Sequence, residues 1–255
     1  MKNAKRVAIE AALKSGRFIK GSVGKTYNIS YKGRDNLVTD IDKKSEHMII
    51  DRISSAFPEH SILSEESSPR SGAGPYKWII DPLDGTTNFA HAFPFFAVSI
   101  GLERSGKIEM GVVYDPMRDE LFYAESGKGA YLNGKKIHVS RTKRLTDSFL
   151  ATGFPYGRRR KGDNVKYFRK FLVRSLAVRR AGSASLDLSY VACGRFDGFW
   201  EMGLHPWDSA AGMIIIEEAG GSVTTFAGSD YTPYHNKILA HNGNIHEEMV
   251  MFLKK

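Results

Sequence analysis

Apolar positions recur at helical intervals in two segments near the start of the chain. The first set is Val7, Ala8, Ala11, Ala12, Phe18 and Ile19, and the second is Ile41, Met48, Ile49, Ile53 and Ala56. An α-helix repeats about every 3.6 residues, so each set lies along one side of a helix and can pack on a core. The spacing therefore predicts two early amphipathic helices.

After Pro58 the pattern changes to short apolar runs that are separated by turn residues. The runs are SILS, KWIID, FAVSIGL, IEMGVVYD and ELFYAE, and the separators include Ser105-Gly106, DPMRD, SGKG and Asn133-Gly134. Short apolar runs with turn signals between them are typical of strands joined by hairpins. This middle region is predicted to be an antiparallel meander.

From Gly182 onward, helical and strand patterns alternate. The pattern predicts a helix over ASLDLSYVAC, a strand at DGFWE, a helix from Pro206 to Gly220-Gly221, strands at SVTTF and KILAHN, and a terminal helix. No repeat, low-complexity segment or flexible linker divides the chain, whose 255 residues fit one large domain. We expect a single layered α+β domain over residues 1–255, with an N-terminal half of about 1–147 and a C-terminal half of about 148–255.

Composition narrows the class of protein. With 42% hydrophobic and 25% charged residues the chain is ordinarily globular. Its one cysteine, Cys193, excludes an internal disulfide, a CxxC redox pair and a cysteine-built metal site. The first twenty residues resemble neither a signal peptide nor a membrane span. We therefore expect a soluble protein of a reducing compartment, the cytoplasm.

The chain is also basic, with a formal net charge of +9. A run from Arg158 to Lys161 follows GFPYG and is predicted to be a loop, and Arg174, Arg179 and Arg180 add further positive charge. This balance favours anionic partners, whether a phosphate ester, a nucleic acid or an acidic protein surface.

Four short stretches place carboxylates at the edges of apolar runs. They are LVTDID with Asp42, LSEES with Glu65 and Glu66, DPLDGTT with Asp81 and Asp84, and HPWDSA with Asp208. Folding brings such residues to the border of the core, where several carboxylates repel one another unless a cation intervenes. Oxygen ligands without cysteine indicate a hard ion, Mg²⁺ or alternatively Mn²⁺.

The DPLDGTT stretch supports this interpretation. The proline between Asp81 and Asp84 stiffens a turn that can aim both carboxylates and the carbonyl of Leu83 to one side. Gly85 permits close backbone approach, and its N–H and that of Thr86 would form an anion site if they open a helix. The Thr86 hydroxyl can orient a water. Two cations about 3.5–4 Å apart would then assist an in-line phosphoryl displacement, one activating the water and one stabilising the leaving oxygen.

These motifs carry a resemblance that covers essentially the whole chain. WIIDPLDGTTNF, preceded by LSEES and followed by EMGLHPWDSAAG, resembles the inositol monophosphatase family of Mg²⁺-dependent, lithium-sensitive phosphatases, particularly its bacterial members. The resemblance implies an α/β/α/β/α sandwich, usually dimeric. It also implies hydrolysis of myo-inositol monophosphate, or a similar polyol phosphate, by metal-activated water without a covalent phosphoenzyme.

The same resemblance implies roles for individual residues. For two or three Mg²⁺ ions the implied ligands are Glu65, Asp81, the carbonyl of Leu83, Asp84 and Asp208, with Glu65 also serving a weaker third ion. The implied catalytic residues are Thr86 and Asp42, which orient the attacking water, together with Glu65. The implied substrate contacts are Asp84, Gly85, Thr86, Ala184, Glu201 and Asp208.

Several of these residues also have a structural interpretation. Thr39 to Asp42 fits the capping box that starts a helix, and without the resemblance this would be the favoured role of Asp42. Asp208 would stabilise the first turn of a helix through the macrodipole in any case. Glu201, beside aromatic residues in FWEMG, needs a hydroxyl or cation partner if it is buried. The lone histidines His91 and His205 are assigned no role.

Two other functions fit the sequence. Fructose-1,6-bisphosphatase or dual-specificity sugar phosphatase activity would use the same metal residues, as would a nucleotide phosphatase. A regulatory binding protein that docks on RNA polymerase or the ribosomal RNA machinery belongs to a different class and fits the positive charge. No aromatic stacking platform or nucleic-acid-reading module accompanies that charge.

Overall fold

The computed structural model describes residues 2–32, 36–155 and 158–254. Its first elements are α1 (Lys2–Lys20), β1 (Ile29–Lys32), β2 (Asn36–Thr39) and α2 (Asp40–Ala56). Both predicted helices are confirmed. The antiparallel pair β1 and β2 was not predicted, because four-residue strands with interspersed polar residues carry no clear apolar alternation.

A seven-stranded sheet forms the middle of the molecule. Its strands are β3 (Ser61–Ser64), β4 (Tyr76–Asp84), β5 (Ala97–Arg104), β6 (Lys107–Asp115), β7 (Glu120–Glu125), β8 (Ala130–Leu132) and β9 (Lys135–Lys136), in that spatial order. The predicted meander is confirmed from β4 onward, where every pairing is antiparallel. It is wrong for SILS, because β3 runs parallel to β4. The long connection 65–75 returns the chain to the same end of the sheet, which a tight hairpin turn cannot do.

A second, five-stranded sheet has the order β11-β10-β12-β14-β13. The strands are β10 (Phe149–Thr152), β11 (Ala177–Arg179), β12 (Gly198–Met202), β13 (Ser222–Thr224) and β14 (Lys237–His241). The helices around it are α4 (Arg158–Leu172), α5 (Ala184–Ala192), α6 (Pro206–Glu218) and α7 (His246–Leu253), and a short helix α3 (Thr86–Ala90) follows β4. The elements predicted after Gly182 are all confirmed, whereas β10, α4 and β11 were not predicted.

The basic run from Arg158 to Lys161 begins helix α4, so the prediction of a loop is wrong. Tyr167 and Phe171, four residues apart, are both buried, and the Phe171 ring lies 4.3 Å from that of Trp200. Residues four apart share one face of a helix. Burial of this aromatic pair therefore holds α4 against the sheet, although its first turn is strongly polar.

Layers of helices and layers of β-sheet alternate through the molecule. One apolar cluster joins α1 and α2 to the outer face of the seven-stranded sheet. A second joins α5 and α6 to both sheets, and a third covers the far face of the five-stranded sheet with α4 and α7. The predicted α/β/α/β/α sandwich is therefore confirmed. Close packing of the middle layer requires Gly111, since a Cβ there would lie 2.5 Å from the carbonyl oxygen of Ala211.

Among the described residues, none of the helices combines the length and the apolar character that a membrane crossing would need.

Candidate active site

The turn that carries Asp81 and Asp84 is built by an irregularity at the end of β4. Asp81 pairs with Ser99 and Asp84 with Ala97, so β4 contains one residue more than β5 over this stretch. A bulge of this kind bends a strand and redirects its side chains. Gly85 then adopts φ 92°, a conformation that favours glycine, and leads directly into α3.

Neighbouring elements hold this turn in place. The hydroxyl of Ser45 on α2 donates to the carbonyl of Pro82 at 2.6 Å. The Glu65 N–H donates to the carbonyl of Ile80 at 3.2 Å, which sets Glu65 beside the end of β4. The turn is therefore fixed from two sides, and Glu65 reaches the same cavity as Asp81.

Two carboxylates at the end of β4 meet a third from the first turn of α6 at this point. Oxygen atoms of Asp81, Asp84 and Asp208 all lie within 4.8 Å of one another. Burial raises the pKa of Asp81 well above its usual range, and the negative charges of Glu65, Asp84 and Asp208 act in the same direction. Burial likewise raises the pKa of Asp208 well above the usual range. A cation shared by these oxygens would relieve the repulsion, and an all-oxygen donor set suits a hard divalent ion.

Asp84 is oriented by donors at the start of α5. Its Oδ2 accepts hydrogen bonds from Ser183 Oγ at 2.6 Å, Ser185 N at 2.8 Å and Ser185 Oγ at 2.5 Å. Burial raises the pKa of Asp84, and these bonds oppose that shift because they stabilise the ionised form. With three donors gathered on Oδ2, Oδ1 is the atom that can face a cation.

Asp208 lies in the first turn of α6, as predicted. It accepts a hydrogen bond from the backbone N–H of His205 at 2.6 Å, which caps the helix. Its carboxylate also belongs to the acidic cluster, so the structural and the metal-site interpretations are compatible. The His205 ring stacks on Trp207 with 4.8 Å between centroids.

Asp42 likewise serves two parts of the structure, because each of its carboxylate oxygens has a different partner. Its Oδ2 accepts hydrogen bonds from Thr39 N at 2.8 Å and Thr39 Oγ1 at 2.5 Å. The first of these, together with the bond that Asp42 N donates to Thr39 Oγ1 at 3.4 Å, forms the capping box of α2. The Oδ1 of Asp42 lies 2.8 Å from Thr86 Oγ1, which is also 3.0 Å from the carbonyl of Leu83. Burial raises the pKa of Asp42, and the hydrogen bonds from Thr39 and Thr86 act against that shift.

The hydroxyl of Thr86 has a single proton to donate. Given to the Asp42 carboxylate, it leaves the lone pairs of Thr86 Oγ1 to accept a hydrogen bond from a water in the cavity. The arrangement leaves an acceptor for a water, and the role of Thr86 in orienting that water stays a prediction.

The two halves of the chain close over one cavity. It is lined by Glu65, Asp81, Leu83, Asp84, Gly85, Thr86, Gly153, Phe154, Pro155, Arg180, Gly182, Ser183, Ala184, Asp187, Glu201, Gly203, Leu204, His205, Trp207 and Asp208. Every predicted metal and substrate residue is in this lining, and Asp42 lies behind Thr86. The structure brings the predicted residues together, while their individual roles stay predictions.

Asn88 ties the halves together beside the cavity. Its amide nitrogen lies 2.7 Å from the carbonyl oxygen of Phe95 and 2.9 Å from that of Ala181. This bridge accounts for the asparagine in the GTTNF motif, which the sequence left without a role.

Glu201 occupies the far side of the cavity on β12. Burial raises its pKa to about 8, the Arg180 guanidinium lowers it, and Asp84 adds to the rise. A Cβ on Gly153 would lie 2.1 Å from both carboxylate oxygens of Glu201, so a glycine at this position makes room for the acid.

Sequence reasoning missed Arg180, Ser183, Ser185 and Asp187 as residues of the site. Serines just before a predicted helix are a capping signal and could have drawn attention to Ser183. An acid inside the otherwise apolar ASLDLSYVAC helix was the signal for Asp187, because acids are seldom fully buried without a partner.

Comparisons with known proteins found similarities in sequence and in structure. The chain matches the model of the inositol monophosphatase family over residues 1–253. The inositol-1-monophosphatase of Mesorhizobium japonicum is 42% identical over 253 residues, which cover 98% of this chain and 95% of that protein. The Nus factor SuhB of Pseudomonas aeruginosa is 45% identical over 232 residues, with 88% and 85% covered. The crystal structure of extragenic suppressor protein suhB from Bartonella henselae has a TM-score of 0.96, 42% identity and 99% coverage of both chains.

Proposed function

The chain belongs to the inositol monophosphatase family, and from this membership and the acidic site we propose that it hydrolyses myo-inositol monophosphate or a similar polyol phosphate. It is a phosphatase, as its relatives predict. One observation carries the assignment of the site. Carboxylate oxygens of Asp81 and Asp84 at the end of β4 lie within 4.8 Å of one another and of a carboxylate oxygen of Asp208 in α6, which is far away in sequence.

We assign this cluster to two or three Mg²⁺ ions, with Mn²⁺ as the alternative. The residues that would hold them are Glu65, Asp81, Asp84, Asp208 and the carbonyl of Leu83. All are oxygen donors, and repulsion among the carboxylates favours a bound cation. When bound, such ions supply Lewis-acid chemistry, lowering the pKa of a water and stabilising charge on the phosphoryl group.

The residues around the cluster position the reactants. Thr86, with its proton directed to Asp42, accepts a hydrogen bond from the attacking water and fixes its orientation. Correct orientation of a nucleophile lowers the barrier without any covalent intermediate. Gly85 and Thr86 present backbone N–H groups to the phosphate, because Gly85 turns the chain sharply into α3.

The polyol part of the ester is assigned to the other side of the cavity. Ala184 at the start of α5 and Glu201 on β12 line it together with Asp84. A buried carboxyl such as Glu201 gains a partner when a substrate hydroxyl enters. The proposal therefore gives the phosphate and the polyol separate contacts within one site.

A substrate panel tests the proposal. Initial rates would be measured on myo-inositol 1-phosphate, fructose 1,6-bisphosphate and 3′-phosphoadenosine 5′-phosphate, each with Mg²⁺ and with EDTA. We expect inositol 1-phosphate to have the highest kcat/KM and EDTA to abolish turnover. A marked preference for either other ester would overturn the substrate assignment, and full activity in EDTA would overturn the metal assignment.

A second candidate function is a regulatory binding role on the same scaffold. It is favoured by the relative named Nus factor SuhB and by the net charge of +9. The partner would be RNA polymerase or an RNA of the transcription machinery. Salt-dependent retention on either partner, lost when Arg158 to Lys161 are neutralised while phosphatase activity survives, would support this role. Absence of binding at low salt would contradict it.

We further propose that the protein is a homodimer. Phe93 is 53% exposed and lies beside an apolar cavity that Phe149, Tyr190 and Phe196 also line. Exposed apolar surface of this kind is typical of a protein contact. Arg180 lines both this cavity and the acidic one, so a partner seated here would contact the wall of the active site.

A further inference from the structure

Asp187 is a buried carboxyl in the cavity wall to which neither the metal site nor the water-orienting pair assigns a role. It lies in the first turn of α5 and is 1% exposed. Among the residues that the structure describes, its Oδ1 has no hydrogen-bond partner. The residue nevertheless lines the same cavity as Asp84 and Glu201.

The surroundings of Asp187 make the ionised carboxylate unfavourable at this position. Burial raises its pKa well above the usual range, and the negative charges of Glu201 and Asp84 add to the rise, while Arg180 at the rim opposes it. A buried polar atom without a partner destabilises the folded protein, and an apolar side chain of similar volume avoids that cost. A leucine would therefore serve the fold at least as well as the aspartate.

The neighbouring residues indicate what the missing partner is. Glu201 and Asp187 place two carboxyl groups in one cavity beside the acidic cluster. Hydroxyl groups of a polyol are donors and acceptors that can pair with a carboxyl in either protonation state. Asp187 is not part of the group of oxygens within 4.8 Å of one another, which comprises Asp81, Asp84 and Asp208 among the described residues.

We propose that Asp187 is a specificity-determining residue, whose carboxyl pairs with a hydroxyl of the alcohol part of the phosphate ester next to Glu201. This inference rests on the proposed function. A site built to pair a hydroxyl discriminates against an ester that lacks it, because the buried group then stays unpaired. Asp187 thus favours polyol phosphates over phosphate esters of apolar alcohols.

The test compares two esters on the same variants. Steady-state kinetics at saturating Mg²⁺ would be measured on myo-inositol 1-phosphate and on phenyl phosphate, which has no hydroxyl on its alcohol part. For Asp187→Leu we expect KM for the inositol ester to rise about tenfold, the value of one good hydrogen bond, with KM for phenyl phosphate unchanged. Asp187→Asn keeps hydrogen-bonding atoms and should show a smaller rise. If the leucine variant fails to fold, the asparagine variant provides the test instead.

A matched control separates recognition from stability. Asp197 is a buried carboxyl of the same half that accepts hydrogen bonds from Ser140 Oγ at 2.5 Å and Phe149 N at 2.7 Å, and it does not line the cavity. Asp197→Asn should lower the melting temperature and leave both KM values unchanged. Asp187→Leu should keep or raise the melting temperature.

Three results would overturn the inference. One is an equal change in KM for both esters, the second is unchanged kinetics, and the third is a shift in the half-saturating Mg²⁺ concentration with unchanged KM, which would indicate a metal ligand instead. If the wild type hydrolyses neither ester, the proposed function fails separately. Calorimetric titration of myo-inositol 1-phosphate into wild type and Asp187→Leu then decides the inference, and equal binding by the two proteins would refute it.

Discussion

Thr86 Oγ1 lies 2.8 Å from Asp42 Oδ1, and the other oxygen of the same carboxylate caps helix α2 through Thr39. The start of helix α2 is thereby joined to the threonine that we propose orients the water, so α2 holds Thr86 in place at the proposed active site. Two substitutions on this pair should consequently have different effects on folding and on turnover.

Thr86→Ala removes the hydroxyl and leaves the cap intact. We expect kcat to fall about 10²-fold or more, because the attacking water loses the group that orients it. The loss of stability should be smaller than for Asp42→Asn, since a water from the cavity can replace the lost hydroxyl as a donor to Asp42. Asp42→Asn should lower kcat and also cost about 1 kcal/mol of unfolding free energy, because it weakens the capping box. Rates and urea denaturation of both variants check this. Equal stability losses in the two variants would show that the cap and the site are not separable.

Asp81→Asn should abolish turnover and stabilise the metal-free protein. Asparagine keeps the volume and the acceptor for the Leu83 N–H, but it removes a buried charge that Glu65, Asp84 and Asp208 repel. Loss of the metal contribution of several kcal/mol implies a fall of about 10²-fold or more in kcat. Melting curves with EDTA and with Mg²⁺ would be compared. The variant should melt higher than wild type in EDTA and gain less from Mg²⁺. Near-normal turnover at saturating Mg²⁺ would disprove the assignment.

Gly153→Ala should impair substrate binding through Glu201. The added Cβ would lie 2.1 Å from the Glu201 carboxylate oxygens, so the acid has to move. We expect a rise in KM for the inositol ester of about fivefold or more, the value of one displaced hydrogen bond. Gly74→Ala is the matched control, because the nearest atom to its Cβ would be the carbonyl oxygen of Glu59, at 3.7 Å. An unchanged KM in the Gly153 variant would argue against a substrate role for Glu201.

The raised pKa of Glu201 predicts a pH dependence of stability. Its pKa rises from the ordinary glutamate value of 4.5 to about 8 because burial disfavours the charged form. Between these two values the folded protein keeps a proton that the unfolded chain releases, so this group lowers stability as pH rises through that window. The loss is complete above the folded pKa of about 8.

Glu201→Gln removes this dependence because the amide does not titrate. In metal-free protein, the stability of the variant relative to wild type should grow as pH rises from about 4.5 to about 8 and stay constant above that. Urea denaturation across this range measures the difference. A difference that does not change with pH would show that Glu201 keeps an ordinary pKa.

Phe93→Arg should convert a dimer to a monomer. The ring is 53% exposed beside a cavity that Arg179, Arg180 and Arg195 also line, so a further positive charge would be repelled there and would have to be desolvated on association. Val173→Arg is the control, since Val173 is 75% exposed but does not line that cavity. Light scattering of both variants reports the mass. A monomeric wild type would refute the dimer, and dissociation by the Val173 variant alone would place the interface elsewhere.

Local patterns determined most of the elements. The structure confirms the helix predicted from the spacing of Val7 to Ile19, the strands predicted after Pro58 and the helix predicted from Pro206. Each of these predictions depends on a periodicity within a single element. The acidic cluster was also predicted, since carboxylates that end apolar runs are carried to the edge of the core. The sequence by itself thus specified the carboxylates of the site and the divalent-cation chemistry that they can support.

The tertiary structure alone decided what depends on the path of the chain between elements. Three features depend on connections and contacts between residues that are far apart in sequence, and a periodicity within one element cannot predict them. They are the direction of β3, the helix that begins at Arg158 and the bridge formed by Asn88. Ser183 and Ser185 meet Asp84 only because two sheets pack on opposite sides of α5 and α6. The same packing buries Asp187, whose Oδ1 has no hydrogen-bond partner in the part of the chain that the structure describes. The burial and the hydrogen-bond partners of a side chain depend on all its neighbours, and these are determined only by the packing of the layers in the folded protein.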